Sequence, residues 1–411
     1  MKRKTSIMLV ASALFVIFPS VRVHAQTFAT LYTFTGGADG RYPGSGLIFD
    51  SQGNLYGVTY GTYGGTTNFG TVFEMSPISG DGWTLDTIYT FQGGADGANP
   101  QGNLVFDRAG NLYGTTVFGG GCGVNNPNGC GTVFELSPIG SGGWQKTTIY
   151  RFEGGMDAAG PSSGLAIDEA GNLYGATAEG GLRYGTVFEL SPTAGGWSET
   201  VLHLFVKLFA PQGGLVLDAK GNLYGTASNG GPTGCGGVFE LTPASGSWNL
   251  KVLHAFGCGS DGDYPSGTLA SDSLGRIYGV TARGGAFKDG TVYLLTPRAR
   301  SGWASRVIHS FNGADGLAPF AGVTVDEADN IYGTTQVGGS SQNCTNGCGV
   351  AYKLTATSSG SWNHSILHIF TAVDGDSPSS ALILDNVGNL FGTTSAGGIG
   401  NFGTVFEITP N

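Results

Sequence analysis

Three kinds of side chain in this chain carry chemistry worth weighing: six cysteines, a recurring Asp-Gly, and aromatics set among glycines. Cys122 and Cys130 are close neighbours in sequence, as are Cys344 and Cys348, while Cys235 and Cys258 stand further apart. Thiols so placed either pair as disulfides or grip a metal; no histidine accompanies them in their loops, which favours disulfides. Asp39, Asp96, Asp261, Asp315 and Asp374 each precede a glycine, and Asp157 keeps the place without one. Such carboxylates cap their own turns or ring a cation. Turn capping is the expected role, with Asp261, Asp263, Asp374 and Asp376 as the candidate calcium ligands because two carboxylates flank one glycine. Tyr60, Tyr63, Tyr264 and Phe287 are the aromatics best placed to stack on a sugar face or a peptide. Phe69, Tyr184 and Phe402, each directly before a Gly-Thr-Val-Phe, are expected to plug gaps inside the fold.

These residues hang on a repeat. Gly-Asn-Leu-Tyr-Gly or a variant places an aromatic at Tyr56, Tyr113, Tyr174, Tyr224, Tyr278, Tyr332 and Phe391, with spacings of 57, 61, 50, 54, 54 and 59. Periods of this length, built from short apolar runs and Gly-rich turns, predict β-propeller blades. In the second unit, Asn103-Leu-Val-Phe-Asp107 and Asn111-Leu-Tyr-Gly-Thr-Thr116 make a hairpin, Gly131 to Leu136 a third strand that Ser137-Pro138 should stop, and the stretch from Trp144 to Phe152 a fourth. A second Asp series, from Asp50 and Asp107 to Asp385, opens every hairpin turn, which assigns it to turn chemistry rather than catalysis.

Each of Trp83, Trp144, Trp197, Trp248, Trp303 and Trp362 precedes by six residues a Tyr or His in the fourth strand. His203, His254, His309 and His368 thus occupy the place held elsewhere by Tyr32, Tyr89 and Tyr150, and only His364 departs from the pattern. No base for a Ser-His-Asp hydrolase is expected near the central channel. Counting back from Tyr32, the chain opens on a fourth strand with no preceding three, and it closes on three strands with no fourth. The fold expected is all-β: a seven-bladed propeller with four antiparallel strands per blade, residues 27–34 completing the last sheet and removing an open edge. All six cysteines then fall on one face, where the long loops emerge, and Cys122–Cys130, Cys235–Cys258 and Cys344–Cys348 are the expected pairs.

Lys2, Arg3 and Lys4, an apolar run from Ile7 to Phe18, and Val23-His24-Ala25 read as an export leader over residues 1–25, leaving 26–411 as one domain. Without the leader, the 19 basic residues fall by four against 29 acidic ones, a surface that repels phosphate backbones. Nucleic acid is therefore not an expected partner, and a monomer, extracellular or periplasmic, is.

The units Gly-Asn-Leu-Tyr-Gly-Thr-Thr, Gly-Thr-Val-Phe-Glu-Leu-Ser-Pro and Phe-x-Gly-Gly-x-Asp-Gly resemble the tandem repeat of the bacterial choice-of-anchor GloVer-containing proteins. The resemblance runs over nearly the whole chain after the leader and implies an exported repeat protein without an assigned reaction. Many of those relatives carry a C-terminal anchor; the last strand here reaches Asn411, so none is expected. The expected function is a non-catalytic scaffold binding carbohydrate or protein on its disulfide-bearing face. A lyase- or lactonase-like enzyme, with carboxylates and a cation such as calcium at the channel mouth, is the second reading.

Overall fold

Each blade is organised around one turn. In the first, the Asp50 carboxylate accepts hydrogen bonds from the Gln52 and Asn54 backbone N–H groups at 2.8 and 2.9 Å, from Asn54 Nδ2 at 2.8 Å and from the Tyr56 hydroxyl at 3.2 Å. The same cage recurs around Asp107, Asp168, Asp218 and Asp326, and in a variant form, with Arg276 for the asparagine, around Asp272. An Asx turn of this kind fixes a tight hairpin without help from the core, which explains the full occupancy of the position. Burial alone would raise the Asp168 carboxyl, but the side-chain and backbone donors of Asn172, with Tyr174 and Ala170, bring it below its ordinary value.

The computed structural model describes residues 26–62, 67–80, 82–122, 128–140, 142–300 and 302–410. The leader expected over residues 1–25, and Tyr63, lie outside them. Seven antiparallel sheets of four strands make the seven blades, in chain order from inside to outside in the first six and with the N-terminal strand outermost in the seventh, and a two-stranded ribbon, Ala158–Ala159 with Glu179–Gly180, accompanies the third. The inner strands of the fourth and seventh blades are broken in two. Closure is as the repeat predicts: strand Thr27–Thr33 pairs antiparallel with Thr404–Thr409, running from Thr27 opposite Thr409 to Thr33 opposite Thr404. Among the described residues no helix is long and apolar enough to cross a membrane.

The core lies between blades. Tyr56, Val72 and Phe91 of the first blade pack with Leu104, Leu112 and Phe134 of the second, and six further clusters repeat this around the ring. The glycine inside the second strand is required there: a Cβ on Gly57 would stand 2.5 Å from the Phe73 ring of the next strand. One expectation needs correction. The third strand does not stop at Ser137-Pro138 but runs Thr132–Ile139, with Pro138 opposite Trp144 of the outer strand. The inner neighbour begins only at Leu112, opposite Leu136, so beyond that point nothing waits for the N–H that proline lacks.

Candidate functional site

The inner strands approach so closely that the central channel is about 170 Å³, lined by a short stretch of Gly, Ser, Thr, Ala or Asn from each blade. A side chain at Gly102 would strike the Ser163-Gly164 backbone, and one at Gly322 the Thr268 backbone. The side chains with reach sit toward the cysteine side: Tyr60, Gln212 and Phe320. Tyr60 follows strand Leu55–Thr59 and lies flat over Gly44, where a Cβ would come within 2.6 Å of its ring; burial pushes its phenol above the usual range. Tyr264, at the start of strand Asp263–Ser271, donates its hydroxyl to Gln212 Oε1 at 3.3 Å, meets Phe320 edge-on at 6.1 Å and carries the Arg283 guanidinium 5.1 Å above its ring. Of the four aromatics proposed from the sequence, Tyr60 thus lines the channel, and Tyr264 touches two other residues that line it, Gln212 and Phe320. Phe287 stands 60% exposed in a loop of the fifth blade.

All three disulfides form as expected, with Cα separations of 5.4 Å for Cys122–Cys130, 5.6 Å for Cys235–Cys258 and 5.2 Å for Cys344–Cys348. They fill one structural position. The residue before the third strand is Phe69, Cys130, Tyr184, Cys235, Asp289, Cys348 and Phe402 in successive blades, and it faces the loop leaving its own blade. The Phe69 and Phe402 rings cover Gly93 and Gly36 there, as plugs should, and the Cys130 sulfur covers Gly154. Beside the last disulfide an open cleft of about 680 Å³ runs between Asn343, Val373, Asp376 and Ile399.

The Asp-Gly series is joined to the fourth-strand aromatics, a link the sequence reading did not make. Asp39 bonds Tyr32 at 3.1 Å, Asp96 bonds Tyr89 at 2.8 Å, Asp261 meets His254 at 3.1 Å, Asp315 meets His309 at 3.2 Å and Asp374 meets His368 at 3.0 Å. Most of these carboxylates also accept a backbone N–H, Asp261 from Gly257 at 2.7 Å and Asp374 from Thr371 at 2.8 Å, which is the turn-capping role. Asp263 lies opposite Arg283 in the sheet and Asp376 accepts from the Ser377 hydroxyl at 3.1 Å. Among the described residues no three-ligand cluster forms at either Asp-Gly-Asp, apart from Asp376 beside the two bonded sulfurs of Cys344 and Cys348.

Beside the fourth-strand Tyr or His of each blade leans one residue from the outer strand of the next, the one opposite the apolar end of the third strand; an Asp joins the group at six of the seven junctions, the loop after His203 having none. Around the ring from the first blade it is Leu85, Lys146, Glu199, Leu250, Ser305, His364 and Phe28. Lys146 donates to Asp96 Oδ1 at 2.6 Å with its side chain 5% exposed, and Phe28 stacks on His368 at 3.6 Å. Glu199 instead faces a second carboxylate: burial first and the Asp157 charge second push it up to about 7, and burial also raises Asp157. Glu199 Oε1 and Asp157 Oδ1 are buried without a hydrogen-bond partner. His364 stacks on His309 at 4.4 Å, 8° from parallel, and burial with the neighbouring His309 holds its imidazole down to about 4.

The Gloeobacter/Verrucomicrobia repeat family matches this chain over residues 16–140, 120–273 and 210–411. No curated protein matches it. Among solved structures, a candidate 6-phosphogluconolactonase from Bacteroides uniformis is similar at a TM-score of 0.54 and 13% identity, covering 82% of this chain and 87% of its own. A candidate oxidoreductase of glucose dehydrogenase type from Thermus thermophilus follows at a TM-score of 0.47 and 19% identity, covering 76% and 94%. At such identities the first likeness speaks for the propeller fold alone, whereas the repeat match spans the whole ring, and on that ground the chain belongs to the Gloeobacter/Verrucomicrobia repeat family.

Proposed function

We propose that this protein is an exported, non-catalytic propeller that binds carbohydrate at the cysteine-side mouth of its channel. The observation that carries the reading is the group formed by Tyr264, Phe320, Gln212 and Arg283: two rings set edge to face, with an amide at the Tyr264 hydroxyl and a guanidinium over one face of the Tyr264 ring. Aromatic faces take the C–H surface of a sugar while amide and guanidinium groups meet its hydroxyls. Supporting it, the channel below is walled by small neutral residues, and the carboxylates a lactonase-like reaction would use are engaged in turn caps away from it. A glycan array probed with residues 26–411 tests the proposal. Binding of an oligosaccharide, weakened about tenfold or more by Tyr264→Ala and by Phe320→Ala with the fold intact, is the expected result. A wild-type protein that retains no glycan, or variants that bind as tightly, would overturn it. Tyr60→Ala is unsuitable, because its ring is packed against Gly44 and its loss disturbs the wall itself.

A further inference from the structure

The junction between the fifth and sixth blades differs from the other six. Its position before the third strand holds Asp289, where the other blades have an aromatic ring or a disulfide sulfur. Its leaning residue is His364, which brings a second imidazole over His309 and Asp315. His309 Nε2 lies 3.2 Å from Asp315 Oδ2 without a well-aligned hydrogen bond, and His364 Nε2 is buried with no partner. Burying a ring nitrogen unpaired costs free energy that is avoided at the junctions where Lys146 or a hydrocarbon such as Leu85 fills the same place.

We propose that His309, Asp315 and His364 are the protein ligands of a divalent transition-metal site, with zinc as the metal it suits best. Two imidazoles and one carboxylate are the donor set of borderline cations such as Zn²⁺, whereas Ca²⁺ takes six or more oxygens. The ligand atoms of the three side chains already lie within 4.8 Å of one another. Zinc–nitrogen bonds of about 2.1 Å in a tetrahedron put donors about 3.3 Å apart, so side-chain rotation closes the site without moving the strands. Asn312 supports the carboxylate from behind, its backbone N–H donating to Asp315 Oδ1 at 2.9 Å and its Nδ2 reaching Oδ2 at 3.3 Å. Water completes the shell, and the metal ties the exit loop of the fifth blade to the outer strand of the sixth, a cross-link that neither a plug nor a disulfide supplies at this junction.

The test uses residues 26–411, stripped with chelator and titrated with Zn²⁺ by calorimetry and by melting temperature. The expected result is one strong equivalent and a rise in melting temperature that Ca²⁺ does not reproduce. His364→Leu installs the residue that the first and fourth blades carry at this place, so the metal-free fold is retained; it should weaken zinc binding by about tenfold or more. His254→Tyr, at the fourth-to-fifth junction, should leave zinc binding unchanged and so separates this site from a surface histidine elsewhere. No zinc response in the wild type, or a response equal in His364→Leu, overturns the proposal.

Discussion

The first-to-second and fifth-to-sixth junctions share one backbone plan and end in opposite states. At the former, the Phe69 ring covers Gly93, and Asp96 is held by the Tyr89 hydroxyl at 2.8 Å and by the Lys146 ammonium at 2.6 Å. At the latter an aspartate replaces the ring, and two imidazole nitrogens within 4.8 Å of the Asp315 carboxylate, those of His309 and His364, have no hydrogen bond. The registers of the third and fourth strands are otherwise alike, while the exit loop is one residue shorter at the latter. The repeat thus specifies a frame with two open positions per junction, and the side chains placed there decide whether a junction is sealed, stapled or left with unused donors.

That contrast can be attacked directly. The largest effect is expected at a stapled junction: replacing Cys235 and Cys258 by Ser frees a loop of 23 residues and should cost about 3 kcal/mol in urea unfolding. A loss no larger than that of a surface substitution would show that the staples are dispensable and the frame alone suffices. Next comes the sealed junction. Lys146→Leu leaves Asp96, whose side chain is 21% exposed, without its cation and should cost about 2 kcal/mol at pH 7, less than a fully buried pair would. An unchanged midpoint would mean that lysine and leucine seal equally well. The smallest effect belongs to the second-to-third junction, where the folded state holds a proton on Glu199 up to about pH 7. An acid raised in this way binds its proton more tightly in the folded than in the unfolded chain, so stability falls as pH rises from the ordinary glutamate range to about 7 and is level above. Glu199→Gln removes that slope: about 1 kcal/mol of gain is expected at pH 8 after allowance for solvent screening, and none near pH 4. Equal gains at both pH values would assign the effect to packing instead.

Blade number, strand order and ring closure were legible in the sequence because each rests on residues that recur at a fixed offset, Asp50 to Tyr56 or Trp83 to Tyr89, and the three disulfides because that frame puts all six cysteines in loops on one face. Pairing of the Asp-Gly carboxylates with those aromatics was not, because its offset varies: seven residues from Tyr89 to Asp96 but six from His309 to Asp315, and the blade after His203 has no such Asp. The leaning position was hidden for a better reason. Lys146 and Asp96 are 50 residues apart and belong to different blades, and the side chain there changes type from blade to blade, so no motif marks it. His364 did stand out as the histidine off the pattern, but its meaning depends on the neighbouring sheet. Tyr60, offered by the sequence as a ring for stacking on a ligand, packs on Gly44, and the glycine that admits it lies sixteen residues earlier, in the segment before strand Ile48–Phe49.

Pairing of Thr27–Thr33 with Thr404–Thr409 sets a timetable for the molecule. As the chain is synthesised, six blades can complete themselves from neighbouring residues, while the seventh has to hold its first strand in reserve until the final one arrives. The slowest step of maturation is then the meeting of two distant segments, because the entropy of closing so long a loop is spent before any contact rewards it. A chaperone that shields strand Thr27–Thr33 in the interval would act on the one edge through which half-made copies could recruit each other.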